Sequence, residues 1–370
     1  MNKFLKGVLA GSMALSMVAC GGSNGSSAPA AEESEVRVAM ITDSGDITDQ
    51  SFNQTTYEAG KAFCEENGLD FTYYKPSEAT DDARIAMLDK AYDDGYNVVL
   101  LPGYLFAEVV AYGSNEYPDL KMIALDLSEF DISGASQEAN MANVYSTVYQ
   151  EEIPGFMAGY AAVKMGYREL GFLGGVAVPA VIRYGQGFVQ GADAAAAELD
   201  VDVNVKYVYG GAFQGDADIT AVMDTWYKGG TEVVFACGGG IFTSAAEAAA
   251  KVNGKVIGVD VDQAPTIDGN YGKGMTITSA EKGLTNTVKN ILQAILDGKF
   301  SDYAGKVDNL GIDGDYVGLS ASTQWCDTFT EEDYAKLVQD IKDGKIAIDN
   351  NTDKMPAVKK VKVDDQGSIK

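Results

Sequence analysis

The sequence predicts an α/β protein of two doubly wound lobes, and three observations carry that prediction. From residue 36 onward, short apolar runs alternate with amphipathic helical stretches. The runs are rich in Val, Ile and Leu, as expected for strands of parallel sheets whose two faces are covered by helical crossovers. Ten such runs exceed one comfortable sheet, and 370 residues with 46% hydrophobic content suffice for two separate cores.

The first strand is predicted over 36–41, followed by the acidic loop Thr42-Asp43-Ser44-Gly45-Asp46-Ile47-Thr48-Asp49-Gln50 and a helix over 52–66. Ser51 with Gln54 three residues later reads as a capping box, which makes Phe52 the first helical residue. Further strands are predicted over 71–74, 97–101, 122–125 and 143–148, with a helix over 81–93. A break near 149–152 marks the first crossing. Beyond it, helices over 155–164, 187–199, 217–227 and 243–252 alternate with strands over 170–173, 203–208, 232–236, 255–259 and 275–278. Leu284, Val288, Ile291, Leu292, Ile295 and Leu296 then fall on one face of a helix. A return crossing is expected near 278–281, and an irregular tail from about 308 crosses back. The expected division is 36–149 with 279–307 in the first lobe, and 150–278 with 308–370 in the second.

Residues 1–19 read as an export signal rather than part of the fold. Lys3 and Lys6 precede an apolar stretch from Val8 to Val18 that is too short to span a bilayer. Ala19-Cys20-Gly21-Gly22 resembles a bacterial lipobox, which implies cleavage before Cys20, a lipid on its thiol, and a place on the outer face of the cell membrane. Residues 20–35, rich in Gly, Ser, Ala and Glu, read as a tether. No later stretch is apolar enough to cross a membrane.

Composition excludes several kinds of chemistry. The chain has no histidine, which removes Ser-His-Asp and Cys-His arrangements and the common zinc sites. Cys64, Cys237 and Cys326 lack metal-like spacing, and their odd number leaves at least one free thiol. The formal net charge is −26, and loss of Lys3 and Lys6 with the signal takes it to −28. Such a charge repels nucleic acid and anionic surfaces. No cofactor or metal is expected.

The candidate site residues cluster where strands end, which is where open α/β sheets bind ligands. Phe52 either faces that edge or packs on a neighbouring loop. Gly238-Gly239-Gly240 follows a strand but lacks the GxGxxG spacing of a dinucleotide fingerprint, so it is a tight turn or a place where backbone approaches a ligand. Asp260 ends a strand and could take two hydroxyls of a diol, or cap a turn together with Asp262. Asp126 repeats that position on another strand. Lys282 is expected in the first turn of the 284–296 helix, as a ligand group or as a solvated lysine. Phe213 is an aromatic residue in the polar loop after the 203–208 strand.

The ordered string of motifs resembles the basic membrane protein family of bacterial lipoproteins, the purine-nucleoside-binding components of ABC importers. It includes Asp49-Gln50-Ser51-Phe52-Asn53-Gln54, Asn143-Val144 through Glu151-Glu152 to Met157-Ala158-Gly159, and Gly171-Phe172-Leu173-Gly174-Gly175 with Pro179. Gln186-Gly187-Phe188-Val189-Gln190-Gly191-Ala192, the Gly238–Gly240 turn, Gly258-Val259-Asp260-Val261-Asp262-Gln263 and Thr278-Ser279 with Lys282 complete it. The resemblance implies a type I periplasmic-binding-protein fold whose lobes are joined by a hinge of several crossovers. It further implies that Phe52 and Phe213 sandwich a base, with Asn53 in the same site. Asp43 and Asp126 would meet the base edge, and Gly238, Asp260 and Lys282 the ribose hydroxyls. Asp260 and Lys282 are expected to reach the ribose from opposite sides of the cleft.

The expected function is capture of a purine nucleoside, of adenosine, guanosine or inosine type, and its delivery to ABC permease subunits. Two other readings use the same fold: a sensor that presents its ligand to a membrane receptor, and a sugar or pentose binder that needs the diol groups but not two rings. An enzyme such as a nucleoside hydrolase is not expected, because Asp43, Asp46 and Asp49 are spaced wrongly for its calcium site.

Overall fold

The computed structural model describes residues 35–43 and 45–370. The export signal, Cys20 and nearly all of the tether lie outside the described residues. β1 (Arg37–Ile41) leads through the acidic loop into α1 (Phe52–Asn67), followed by β2 (Asp70–Tyr74), α2 (Asp81–Asp93), β3 (Val98–Pro102) and α3 (Ala107–Glu116). Then come β4 (Lys121–Leu125), the short α4 (Glu129–Ser133) and β5 (Val144–Tyr149). The period of two is visible in β1: Val38 and Met40 enter one apolar cluster, Ala39 and Ile41 the cluster on the opposite face.

The second sheet begins after α5 (Glu152–Lys164) with β6 (Glu169–Gly174), α6 (Pro179–Leu199), β7 (Val203–Tyr209) and α7 (Ala217–Lys228). It continues with β8 (Val233–Cys237), α8 (Phe242–Ala250), β9 (Lys255–Asp260), α9 (Ala264–Tyr271) and β10 (Thr276–Lys282). α10 (Leu284–Leu296) then packs on α1, and β11 (Val307–Leu310) pairs with β5. The chain returns to the second sheet with β12 (Val317–Leu319), antiparallel to β10, passes through α11 (Glu331–Lys342), and ends with β13 (Val361–Ser368) beside β7.

The first sheet therefore has the strand order β11-β5-β4-β3-β1-β2, and the second β12-β10-β9-β8-β6-β7-β13. Three segments connect the lobes: 149–152, 282–284 and 310–317. Two expectations need correction here. Residues 279–282 belong to the second sheet, because β10 stays paired to β9 as far as Glu281 opposite Asp260. Residues 308–310 belong to the first sheet, and the tail beyond them is structured rather than irregular.

α5 and α6 cross at unusually close range through glycines spaced four apart on each helix. A Cβ on Gly155 would lie 2.3 Å from the Tyr184 carbonyl oxygen, and one on Gly159 2.0 Å from that of Phe188. The reciprocal contacts are as tight: Gly187 against the Glu152 carbonyl at 2.1 Å, and Gly191 against that of Phe156 at 1.9 Å. Small residues at i and i+4 on both helices let the backbones touch, and the large side chains Phe156 and Phe188 pack around the crossing.

Candidate functional site

A cavity of about 430 Å³ opens between the carboxyl ends of the two sheets. All eight candidate residues line it: Asp43, Phe52, Asn53, Asp126, Phe213, Gly238, Asp260 and Lys282. Phe52 projects from the first turn of α1, and Phe213 from the loop after β7. Phe213 is seated against glycines: a Cβ on Gly175 would come 2.5 Å from its ring and one on Gly238, at φ 133°, 2.9 Å. The glycine turn after β8 thus makes room for an aromatic wall.

The start of α1 is built differently from the sequence expectation. Ser51 makes no side-chain capping bond, and Gln54 Oε1 accepts instead from the Gln50 amide at 3.0 Å. Asp49 supplies the cap, accepting from the backbone N–H groups of Ser51, Asn53 and Gln54, each at 3.0 Å. Burial raises the Asp49 carboxyl, and these amide bonds oppose the rise. The Asn53 side chain donates to Asp49 and to Asp43, both at 3.1 Å.

Lys282 also departs from expectation. It is the last residue of β10, not part of α10, and it is buried with only 2% of its side chain exposed. Its ammonium lies 2.5 Å from Asp126, 3.3 Å from Glu151 and 3.7 Å from Asp260. It also sits 4.8 Å from the centre of the Phe52 ring. Burial alone would lower the lysine, but the three carboxylates overcome it and hold it above its ordinary value. Asp126 is pushed up to about 6 by burial, with Lys282 opposing. Both tendencies leave the lysine charged and the carboxyl ionised near neutral pH, so the two form an ion pair.

Asp126 and Asp260 both end strands in the left-handed region, at φ 57° and 66°. Asp260 accepts a 2.6 Å bond from the Ser51 hydroxyl across the cleft. It shares the second sheet with Lys282, on the neighbouring strand, so the two approach from the same lobe rather than from opposite sides. The cleft is bridged instead by Lys282 to Asp126, Ser51 to Asp260, and the Gln263 side chain to the Gln50 carbonyl at 3.0 Å.

A family model described as ABC transporter substrate-binding protein PnrA-like, of the Bmp family, matches residues 36–352. The chain belongs to the Bmp family. A Bmp relative from Lactococcus lactis, "ABC transporter nucleoside-binding protein BmpA", is 26% identical over 334 residues, covering 85% of this chain and 90% of the relative. "Basic membrane protein A" of Borreliella burgdorferi is 25% identical over 365 residues, covering 95% and 96%. A solved solute-binding protein of an ABC transporter system from Aeropyrum pernix shares the fold with TM-score 0.65 at 21% identity, covering 84% of this chain and 87% of its own. One from Conexibacter woesei matches with TM-score 0.65 at 21% identity over 85% and 99%. The Bmp chain thus has the two-lobed periplasmic-binding-protein fold, and its family is described as one of ABC transporter substrate-binding proteins rather than enzymes.

Sequence reasoning missed part of the lining of this cavity. Arg183 and Tyr184, in the first turns of α6, line the cavity. Glu151 is fully buried behind them, and its carboxylate accepts from Arg183 Nε at 2.6 Å. The available signal was positional: Pro179 starts α6 directly after β6, so side chains a turn later face the same strand ends. Glu151-Glu152 at the first crossing was a second signal, since neighbouring carboxylates at a lobe junction need a cation. Among the described residues no helix is long and apolar enough to cross a membrane.

Proposed function

We propose that this chain is a lipid-anchored, extracytoplasmic solute-binding protein that captures a purine nucleoside between its lobes and delivers it to an ABC importer. The observation that carries the reading is a single cavity lined by one phenylalanine from each lobe, Phe52 and Phe213, with a buried lysine and carboxylates around them. Two rings suit a flat heteroaromatic base, and a diol suits strand-end carboxylates and an ammonium. The relative named as nucleoside-binding supports the same ligand class. Closure would be a hinge motion of the three crossovers.

Calorimetric titration of the chain from residue 36 with purine nucleosides, free bases and pentoses tests the reading. Nucleosides are expected to bind. Phe52→Ala and Phe213→Ala should each weaken them by about 1–3 kcal/mol, roughly five- to a hundredfold. Tight pentose binding with no nucleoside binding would replace this reading by the sugar binder. Anchoring rests on Cys20. In the producing cell, Cys20→Ala is expected to move the protein from the membrane fraction to the soluble one, and an unchanged membrane fraction would refute the lipid anchor.

A further inference from the structure

The two walls of the cavity differ in hydrogen-bonding sense. On the first lobe, both polar hydrogens of the Asn53 amide are committed to Asp43 and Asp49. Turning the amide over would aim its carbonyl at two carboxylates, so the orientation is fixed. Asn53 Oδ1 is left buried and without a partner, in a residue only 4% exposed. Asp126 repeats the pattern, with one oxygen on Lys282 and Oδ1 buried without a partner.

Three described donors on the same wall are already used. The Gly45 amide donates to Asp43 at 2.7 Å, the Gly103 amide to the Leu125 carbonyl at 2.8 Å, and the Ser128 hydroxyl to Asp131 at 2.5 Å. Among the described side chains of this wall, the Tyr104 hydroxyl, which can give or take, departs from this pattern. The charged donors Lys282 and Arg183 belong to the second lobe.

A base edge turned to the first lobe must therefore bring hydrogens. Guanine carries an N1 hydrogen beside a C2 amino group. Hypoxanthine has the N1 hydrogen alone, and adenine sets its one amino group beside bare ring nitrogens. Buried acceptors left without a donor discriminate strongly against a ligand that lacks one.

We propose that the acceptor wall formed by Asp43, Asn53 and Asp126 selects the purine C2 amino group, which makes guanosine the preferred ligand. This rests on the purine-nucleoside reading above. The test is paired titration of the chain from residue 36 with guanosine, inosine and adenosine, beside the Asn53→Ala variant. Guanosine should bind about tenfold or more tighter than either competitor. Asn53→Ala should reduce that ratio while remaining folded by circular dichroism. Equal binding of inosine and guanosine to the unaltered protein overturns the proposal, as does a variant that weakens both to the same degree. If none of the three binds, the nucleoside reading itself fails.

Discussion

Lys282→Met should destabilise the protein by about 3–5 kcal/mol, measured by urea unfolding near pH 8. Methionine replaces the aliphatic stem and lacks the ammonium, so the loss is chiefly electrostatic. It leaves Asp126, Glu151 and Asp260 facing one another, with Arg183 paired to Glu151. Breaking a buried pair from one side costs more than the pair contributes, because the abandoned charges stay desolvated. The pH dependence has a definite sign. Burial already raises the Asp126 and Asp260 carboxyls against the pull of Lys282, so without the ammonium both titrate above their unfolded values and the folded state binds more protons than the unfolded chain. Stability then increases as pH falls, and the deficit should shrink between pH 8 and pH 5. A variant as stable as the parent at pH 8 would mean that water enters the cluster and the pairs contribute little.

Gly191→Ala should cost about 3 kcal/mol, the upper end of the usual overpacking range, because the clash is with backbone and no side chain can swing aside. The new methyl group would lie 1.9 Å from the Phe156 carbonyl oxygen, so α5 and α6 must separate along their crossing. Gly298→Ala serves as the control. Nothing lies within 4 Å of its added Cβ, and its strain comes only from φ 68°. Comparable losses in the two variants, read from urea midpoints, would show that helix separation is not the cause.

Most of the fold was legible because buried parallel strands are written as apolar runs. All ten predicted strands exist, within a few residues of the expected bounds. β11, β12 and β13 escaped because their sequences, Val-Asp-Asn-Leu, Val-Gly-Leu and Val-Lys-Val-Asp-Asp-Gln-Gly-Ser, are short or polar edge strands with little apolar signal. α11 carried a readable start: Thr330 and Asp333 form a true capping box. The eight candidate residues share one cavity, but their chemistry was harder to read. Ser51 followed by Gln54 looked like a cap, yet Asp49 reaches the same amides with two oxygens and a full charge. Lys282 looked like a helix start because the periodic apolar face of α10 begins two residues later, at Leu284. Its burial depends on Glu151, Asp126 and Asp260, three partners 22 to 156 positions away in the chain, which no local pattern displays.

The carboxylate of Asp49 has a consequence for what the cleft turns away. The exposed amides at the start of a helix are a natural seat for phosphate. In α1 that seat is filled by the protein's own anion, which engages three of the amides. A phosphorylated metabolite reaching Phe52 would meet negative charge where such helices ordinarily offer positive charge. On the proposed nucleoside reading, a nucleotide would therefore compete poorly with the nucleoside left when its phosphate is removed.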